Sequence, residues 1–219
     1  MRNLFKWSAP IVVAMLLSLP TAALAKGEWK LVQSAEKDFS ISMPAGAKPV
    51  EKHVKNVTIH AFTGDEDGTN YSITHVAGIP AGPSAVDSIA DGAITEFKRQ
   101  AEAKNVALTI DKTEKAKGEG WVGKKTFISV GPASLQMIAA LSENKYVGYC
   151  LITASKKGAT QNPEFFNSFK VDTKRTNELY ANKAGNIGEM IGRILGIMLG
   201  GGVVFFIADK IKKKNHPAS

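Results

Sequence analysis

The sequence predicts an α+β fold: an antiparallel sheet with packed helices, plus one C-terminal transmembrane helix. Runs of alternating apolar and polar residues joined by short turns indicate the sheet. A segment with apolar residues at helical spacing interrupts them and indicates a helix. An apolar stretch before a lysine-rich tail indicates the membrane segment. We expect a signal peptide at 1–25, an exported domain at 26–183, a transmembrane helix at 187–208 and a basic cytoplasmic tail at 209–219.

The N-terminus has the three parts of a secretory signal peptide. Arg2 and Lys6 are followed by an apolar run over 9–19 and by small residues that end at Ala25, which predicts cleavage after Ala25. The alternative is an uncleaved anchor helix. The apolar run is shorter than the ~20 residues that a bilayer requires, and it contains Pro10, so a cleaved peptide is favoured.

The first strands follow from period-two patterns. Residues 39–43 alternate apolar with polar side chains and end at Pro44, which predicts a half-buried strand. The β-prone runs 57–63 and 71–77 predict a hairpin with a long polar loop over 64–70.

The mid-chain helix is predicted from its start signal and its periodicity. Ser84 is expected to cap the helix while Asp87 completes a capping box. One stripe of the helix is apolar: Val86, Ile89, Ala90, Ala93, Ile94, Phe97 and Ala101. The opposite side is expected to face water: Asp91, Glu96, Lys98, Arg99 and Glu102. The helix should end near residues 104–105.

Four further strands are predicted at 106–112, 121–130, 134–141 and 146–154. The short turns between them require antiparallel neighbours, because a parallel crossover needs a dozen or more residues. Pro163 begins a second short helix, and Phe165, Phe166 and Phe169 are available to pack on the sheet.

This order of elements is similar to that of PsbP-like and DcrB-like domains. The resemblance rests on five features: Trp29 with a following strand, residues 39–44, the mid-chain helix, the four-strand run and the closing segment 165–169. It therefore covers roughly residues 28–172. It implies an antiparallel sheet with helices packed against it. Photosynthetic PsbP proteins assist photosystem II on the lumenal side. No metal or docking residue matches position by position, and the membrane helix departs from the soluble photosynthetic members.

The segment 187–208 has 22 residues, which span about 33 Å as a helix and are sufficient for a hydrocarbon core of about 30 Å. Glu189 and Arg193 are its only charges, at the favourable i, i+4 spacing near one end. The alternatives are a shorter span over 194–208, which would thin the bilayer, and a buried core helix.

Glycines recur every four residues along this segment, at Gly188, Gly192, Gly196 and Gly200. Glycines at this spacing expose backbone along one helix face and permit another helix to approach closely. The alternative is a flexible glycine-rich tether without a partner. The partners that we expect are the lipid bilayer and, through this face, a second copy or another membrane protein.

The net charge of +8 reflects membrane topology more than nucleic-acid binding. Residues 26–185 contain 21 basic and 18 acidic residues, a net charge of only +3. After the membrane segment, Lys210, Lys212, Lys213 and Lys214 are expected to hold the tail in the cytoplasm. We therefore expect no nucleic-acid partner, and a single-pass protein of a bacterial inner membrane with its domain in the periplasm.

No catalytic or cofactor motif is present, so we name no catalytic, metal or cofactor residue. If Phe62 pairs with Tyr71, His60 and His75 lie two rungs apart on the predicted hairpin and are poorly placed to share a metal. His53, the third histidine of the exported part, lies outside that hairpin. Residues 65–68 begin like a calcium loop but lack the acidic twelfth ligand. Cys150 is expected to be buried. Two lysine pairs, 124–125 and 156–157, form either a small basic patch or solvated strand ends.

We therefore expect a non-enzymatic, membrane-anchored interaction or assembly module. The alternative is a periplasmic enzyme or small-ligand-binding domain whose site is assembled from residues far apart in the sequence. A pore lined by several such helices is disfavoured, because the helix has no regular polar stripe.

Overall fold

The structure, a computed structural model, describes residues 27–54, 57–77, 84–159 and 161–181. The predicted signal peptide, transmembrane helix and tail lie outside these residues. The strands are β1 (Trp29–Gln33), β2 (Phe39–Pro44), β3 (Lys48–Val54), β4 (Val57–Glu66), β5 (Thr69–Ala77), β6 (Leu108–Gly118), β7 (Trp121–Val130), β8 (Ala133–Ser142), β9 (Val147–Lys156) and β10 (Lys170–Val171). The helices are α1 (Ala85–Ala103), α2 (Glu164–Asn167) and α3 (Thr173–Tyr180).

The strands form two sheets. One has seven strands in the order β3-β4-β5-β9-β8-β7-β6, and the other has three in the order β1-β2-β10. All neighbouring strands within these two sheets are antiparallel. The predicted α+β class and the meander from β6 to β9 are therefore confirmed. Helix α1 connects β5 to β6, which lie on opposite sides of the β9-β8-β7 block.

Helix α1 covers one side of the large sheet, and its apolar stripe makes the first core. Ile89, Ala93 and Phe97 pack with β7, β8 and β9 residues such as Met137 and Cys150, all of them buried. Burying a phenylalanine contributes about 1.5–3 kcal/mol relative to leaving it exposed, so this stripe fixes the helix on the sheet. The apolar spacing in the sequence therefore identified the helix face correctly.

Two details of α1 differ from prediction. Ser84 has a helical backbone conformation, and its side chain makes no capping hydrogen bond. Asp87 instead forms an ion pair with Lys124 of β7, because the helix lies directly on that strand.

Glu96 is buried rather than water-facing: its carboxylate accepts hydrogen bonds from Arg99 and from Gln100 at 2.7 Å. Satisfied in this way, a carboxylate can be buried at the edge of the core.

The other side of the large sheet carries an aromatic second core. The small sheet, α2 and α3 cover it, and its buried members include Phe39, Tyr71, Trp121, Tyr149 and Phe169. The Trp121 indole Nε1 donates a hydrogen bond to the Phe169 carbonyl at 3.1 Å, which joins β7 to the segment before β10. The prediction that Phe165, Phe166 and Phe169 pack on the sheet is confirmed.

The β4–β5 hairpin was predicted with the wrong loop and register. Its strands extend to Glu66 and restart at Thr69, which leaves a two-residue turn of Asp67 and Gly68. Both turn residues have positive φ, 49° and 75°, as expected for an Asp-Gly turn that matches the twist of a hairpin. Polarity alone had suggested a long loop, but polar residues also occupy the exposed end of the hairpin strands.

Three elements were not predicted: β3, β10 and α3. Strand β10 has only two residues, and the apolar content of α3 is low. Their conformations depend on the elements they contact more than on a local pattern. Helix α3 begins with a side-chain cap, because Asp172 accepts a hydrogen bond from the Arg175 backbone N–H at 2.9 Å.

Candidate functional site

The site residues predicted from the sequence lie outside the described residues. They are Gly188, Gly192, Gly196 and Gly200, together with Lys210, Lys212, Lys213 and Lys214. In the part of the chain that the structure describes, no helix has the length and apolarity needed to cross a membrane. The glycine face and the lysine tail therefore stay predictions.

The two hairpin histidines come together, contrary to the prediction. His60 and His75 are direct cross-strand partners, and their rings stack with centroids 5.9 Å apart and planes at 23°. The predicted two-rung offset was wrong because the turn is shorter than assumed. Stacked parallel rings direct their nitrogens sideways rather than toward a common point. Across the described ranges, no group of three or more metal-ligating side chains is placed to hold an ion.

A buried polar cluster surrounds the Asp38 carboxylate. The imidazole Nε2 of His75 lies 3.2 Å from Asp38 Oδ2. The Tyr149 hydroxyl donates to the same oxygen at 3.5 Å, and the Ser34 hydroxyl donates to Oδ1. Both Asp38 and Tyr149 are fully buried, and His75 is 2% exposed. We call Ser34, Asp38, His75 and Tyr149 the Asp38 cluster.

Burial sets the protonation of this cluster. Desolvation lowers the pKa of His75, and the stacked His60 lowers it further, whereas Asp38 and Glu36 act in the opposite direction. Desolvation also raises the pKa of Tyr149 well above its usual value, with a further rise from Asp38. His75 is therefore neutral near pH 7. Although its Nε2 is within ion-pair distance of Asp38, neither ring nitrogen makes a hydrogen bond with suitable geometry among the described residues.

The order of groups in the cluster differs from that of a hydrolase triad. In a triad, histidine lies between serine and the acid and takes the hydroxyl proton. Here Asp38 lies between the other two, with Ser34 on one oxygen and His75 on the other. His75 therefore cannot take the proton of the Ser34 hydroxyl. Ser34 is also only 7% exposed, which keeps a substrate away from it.

The Asp38 cluster fastens helix α3 to the core. The Asp172 backbone N–H donates to the Asp38 carbonyl at 2.9 Å, and Arg175 Nε donates to the Glu36 carbonyl at 3.0 Å. The Tyr180 ring lies 6.3 Å from the His75 ring, measured between centroids, and is 7% exposed. Burial, followed by the Asp38 charge, raises the pKa of Tyr180. Both ends of α3 are thus attached to the same cluster.

A second anchor of α3 comes from the β8–β9 turn. The Asn144 side-chain Nδ2 donates to the Thr173 carbonyl at 2.8 Å and to the Thr176 hydroxyl at 2.6 Å. Thr176 is fully buried. These bonds satisfy polar groups at the interface, so α3 is an integral part of the domain and not a loose extension of it.

A shallow surface groove of about 470 Å³ lies near the start of α3. Its charged side chains are mixed in sign: Lys37, Glu119, Glu143, Lys170, Asp172 and Lys174. Lys170 and Glu119 form an ion pair at 2.7 Å across it. With its charges balanced, the groove favours no single class of charged ligand.

The remaining sequence candidates lie apart from the cluster. Cys150 is fully buried, as predicted, and desolvation raises the pKa of its thiol to about 12. The two lysine pairs are separated, since Lys124 pairs with Ala139 and Lys156 with Ala133. These two partners, Ala139 and Ala133, are six residues apart along β8, which corresponds to about 20 Å between the two lysine pairs. The structure therefore does not assemble the basic patch.

Sequence reasoning missed Ser34, Asp38, Tyr149 and Tyr180. The only local signal is a serine four residues before an aspartate, just ahead of an apolar strand. That spacing allows Ser34 Oγ to accept the Asp38 backbone N–H at 3.0 Å, but it occurs in many turns. The partners of Asp38 come from β5 and β9, far along the chain.

Comparison with known proteins adds little. No protein-family model matches the chain, and no curated protein matches it. A crystal structure from Bacteroides thetaiotaomicron VPI-5482 is 12% identical with a TM-score of 0.30, over 67% of this chain and 49% of that one. The Saccharomyces cerevisiae Ran-binding protein Mog1p is 11% identical with a TM-score of 0.33, over 77% of this chain and 90% of that one. At such low TM-scores neither likeness carries an argument, and the resemblance to PsbP-like and DcrB-like domains stays a prediction.

Proposed function

We propose that this chain is a membrane-anchored periplasmic module that works by binding other proteins rather than by catalysing a reaction. The observation that carries the proposal is the four-residue spacing of Gly188, Gly192, Gly196 and Gly200 in the proposed span. A glycine in a helix costs about 1 kcal/mol relative to alanine, so a regular row is favoured where backbones of two helices touch. The partner is a second copy or another membrane protein.

The attachment of α3 supports close anchoring at the membrane. Helix α3 is bonded to the core up to Tyr180, and residue Ala181 ends the last described segment. Six residue steps separate Ala181 from Ile187, where the proposed span begins. An extended chain of that length reaches about 20 Å. The end of α3 would therefore stay within about 20 Å of the start of the span, which places the domain where it can contact neighbouring membrane proteins.

The Asp38 cluster supports a structural rather than a catalytic role for the polar residues of the core. Its carboxylate is shielded from water and contacts His75 of β5 and Tyr149 of β9, while the Asp38 backbone carbonyl accepts a hydrogen bond from Asp172 at the start of α3. The hydrogen bonds that the Asp38 carboxylate accepts from Ser34 and Tyr149 require one arrangement of these segments. A PsbP-like or DcrB-like scaffold, used for assembly, is consistent with such a core and belongs to the same proposal.

The topology is tested with fusions to a reporter enzyme that is active only outside the cytoplasm. A fusion after Ser219 should be inactive, because the lysines of the tail hold it inside. A matched fusion after Ala181 ends before the proposed span and should be active. Activity of the Ser219 fusion at the level of the Ala181 fusion would refute the single-pass arrangement.

The glycine face is tested by energy transfer between two differently labelled full chains in native-like membranes. Replacing Gly192 and Gly196 with Leu adds bulk where backbones should meet and should weaken association by about 1 kcal/mol or more, roughly fivefold. The matched control is Gly201→Leu with Gly202→Leu, which lie off the four-residue row. If the Gly192 and Gly196 pair associates as strongly as wild type, the face is not a contact between copies.

A further inference from the structure

A small polar cavity lies on the sheet side that faces α2, well away from the Asp38 cluster. Lys125 of β7 and Gln136 of β8 point to the same side as Trp121 and Ile138, which belong to the second core. The segment before and within α2 lies above them. The space enclosed is about 110 Å³, whereas sites for drug-sized ligands and cofactors measure about 300–1,000 Å³.

Lys125 supplies the charge of this cavity. Its Nζ lies 4.7 Å from the centroid of the Phe166 ring and 5.1 Å from that of Phe127. No carboxylate within the described ranges forms an ion pair with it, since the nearby Glu114 pairs with Lys112. Burial lowers the pKa of Lys125 while Glu114 opposes that change. A half-buried ammonium that shares its neighbouring carboxylate, Glu114, with Lys112 favours a site for an anion beside it.

The other polar groups around the cavity are neutral side-chain amides, from Gln136, Gln161, Asn162 and Asn167. Gln161 is held rigidly, because its Oε1 accepts from Thr153 and its Nε2 donates to Ser155 at 3.0 Å. An amide nitrogen has two N–H donors, so Gln161 Nε2 retains one. No acidic residue is among the described residues that line the cavity.

The apolar part of the wall comes from Phe166 and Pro163. One positive charge, several amide donors and a short apolar wall together match a ligand with one negative charge and a few carbon atoms. A dianion would leave one negative charge uncompensated, and a nucleotide would not fit.

We infer that this cavity binds a short-chain monocarboxylate, with the carboxylate on Lys125 and the carbon chain against Phe166. The inference rests on residues that the proposed function does not use, so either can fail without the other. The carboxylate would accept from the ammonium and from the amide N–H groups, which are charge-assisted hydrogen bonds.

The test uses the intact chain in deuterated detergent micelles with propionate as the probe. Saturation-transfer NMR should show transfer from aromatic protein protons to the propionate methyl group. Lys125→Gln should weaken propionate binding about tenfold or more, as expected for loss of a charge-assisted contact. The matched control is Lys124→Gln: that neighbour pairs with Asp87 on the opposite side of the sheet and should bind propionate like wild type.

Asn167→Ala provides a second variant, because Asn167 is exposed and its truncation leaves the core intact. It should weaken binding by a few fold. Absence of saturable binding by wild type up to about 20 mM propionate, beyond the weak millimolar range, would overturn the inference. Equal binding by wild type and Lys125→Gln would overturn it too, as would tighter binding of inorganic phosphate than of propionate.

Discussion

Replacing His75 with Phe should remove a large part of the pH dependence of folding stability. His75 is buried between the Tyr149 ring, 5.7 Å away, and the stacked His60 ring, 5.9 Å away, with Phe39 against its edge at 5.7 Å. Phenylalanine has a similar size and can make the same ring contacts. The substitution therefore removes the titrating group while it keeps most of the packing.

The sign follows from the lowered pKa of His75 in the folded state. Below its unfolded pKa of about 6.5, the unfolded chain binds a proton at this residue that the folded chain does not. The free energy of unfolding then falls as the pH falls, by up to about 1.4 kcal/mol per pH unit, until the folded pKa is reached. Above pH 6.5 both states are neutral at His75, and this contribution is constant.

The assay is urea unfolding of the intact chain in micelles, followed by tryptophan fluorescence between about pH 5 and pH 8, a window that contains the unfolded pKa. We expect the stability of His75→Phe relative to wild type to improve as the pH falls below about 6.5. His60→Gln serves as comparison: it removes the stacked ring that helps to lower the pKa of His75 but leaves His75 buried, so stability should still fall as the pH falls. A difference between wild type and His75→Phe that is independent of pH would refute the assignment of a neutral, desolvated His75.

Two further predictions concern local geometry. Gly120 has φ +78°, and a Cβ there would lie 2.1 Å from the Val171 carbonyl oxygen, whereas Gly158 has φ +82° and open space around it. Gly158→Ala should lower the free energy of unfolding by about 1–2 kcal/mol through left-handed backbone strain. Gly120→Ala should lower it by at least about 2 kcal/mol more, because its Cβ also clashes with Val171. Denaturant unfolding measures both values, and equal losses would contradict the packing of β10. Cys150 is fully buried, and burial raises the pKa of its thiol to about 12. It should therefore resist thiol reagents at pH 8 in the folded chain and react fully in urea. Fast labelling without denaturant would contradict its burial.

The sequence was sufficient for the main elements of the domain. The α1 stripe and the meander from β6 to β9 were read from side-chain periodicity, because a helix or a half-buried strand presents one face to the core and the pattern records that face. The burial of Cys150 followed from the apolar strand around it. The signal peptide, the glycine face and the lysine tail were also read from sequence, and they stay predictions.

The cluster and the cavity were decided by tertiary structure alone. Asp38 meets His75 and Tyr149 only because β2 packs across β5 and β9, and Lys125 meets Phe166 only because α2 packs on β7. Even the pairing of His60 with His75 depended on a two-residue turn, and a shift of turn length changes which residues face each other. Local patterns record which face of an element is buried, whereas contacts between distant elements depend on how those faces are assembled.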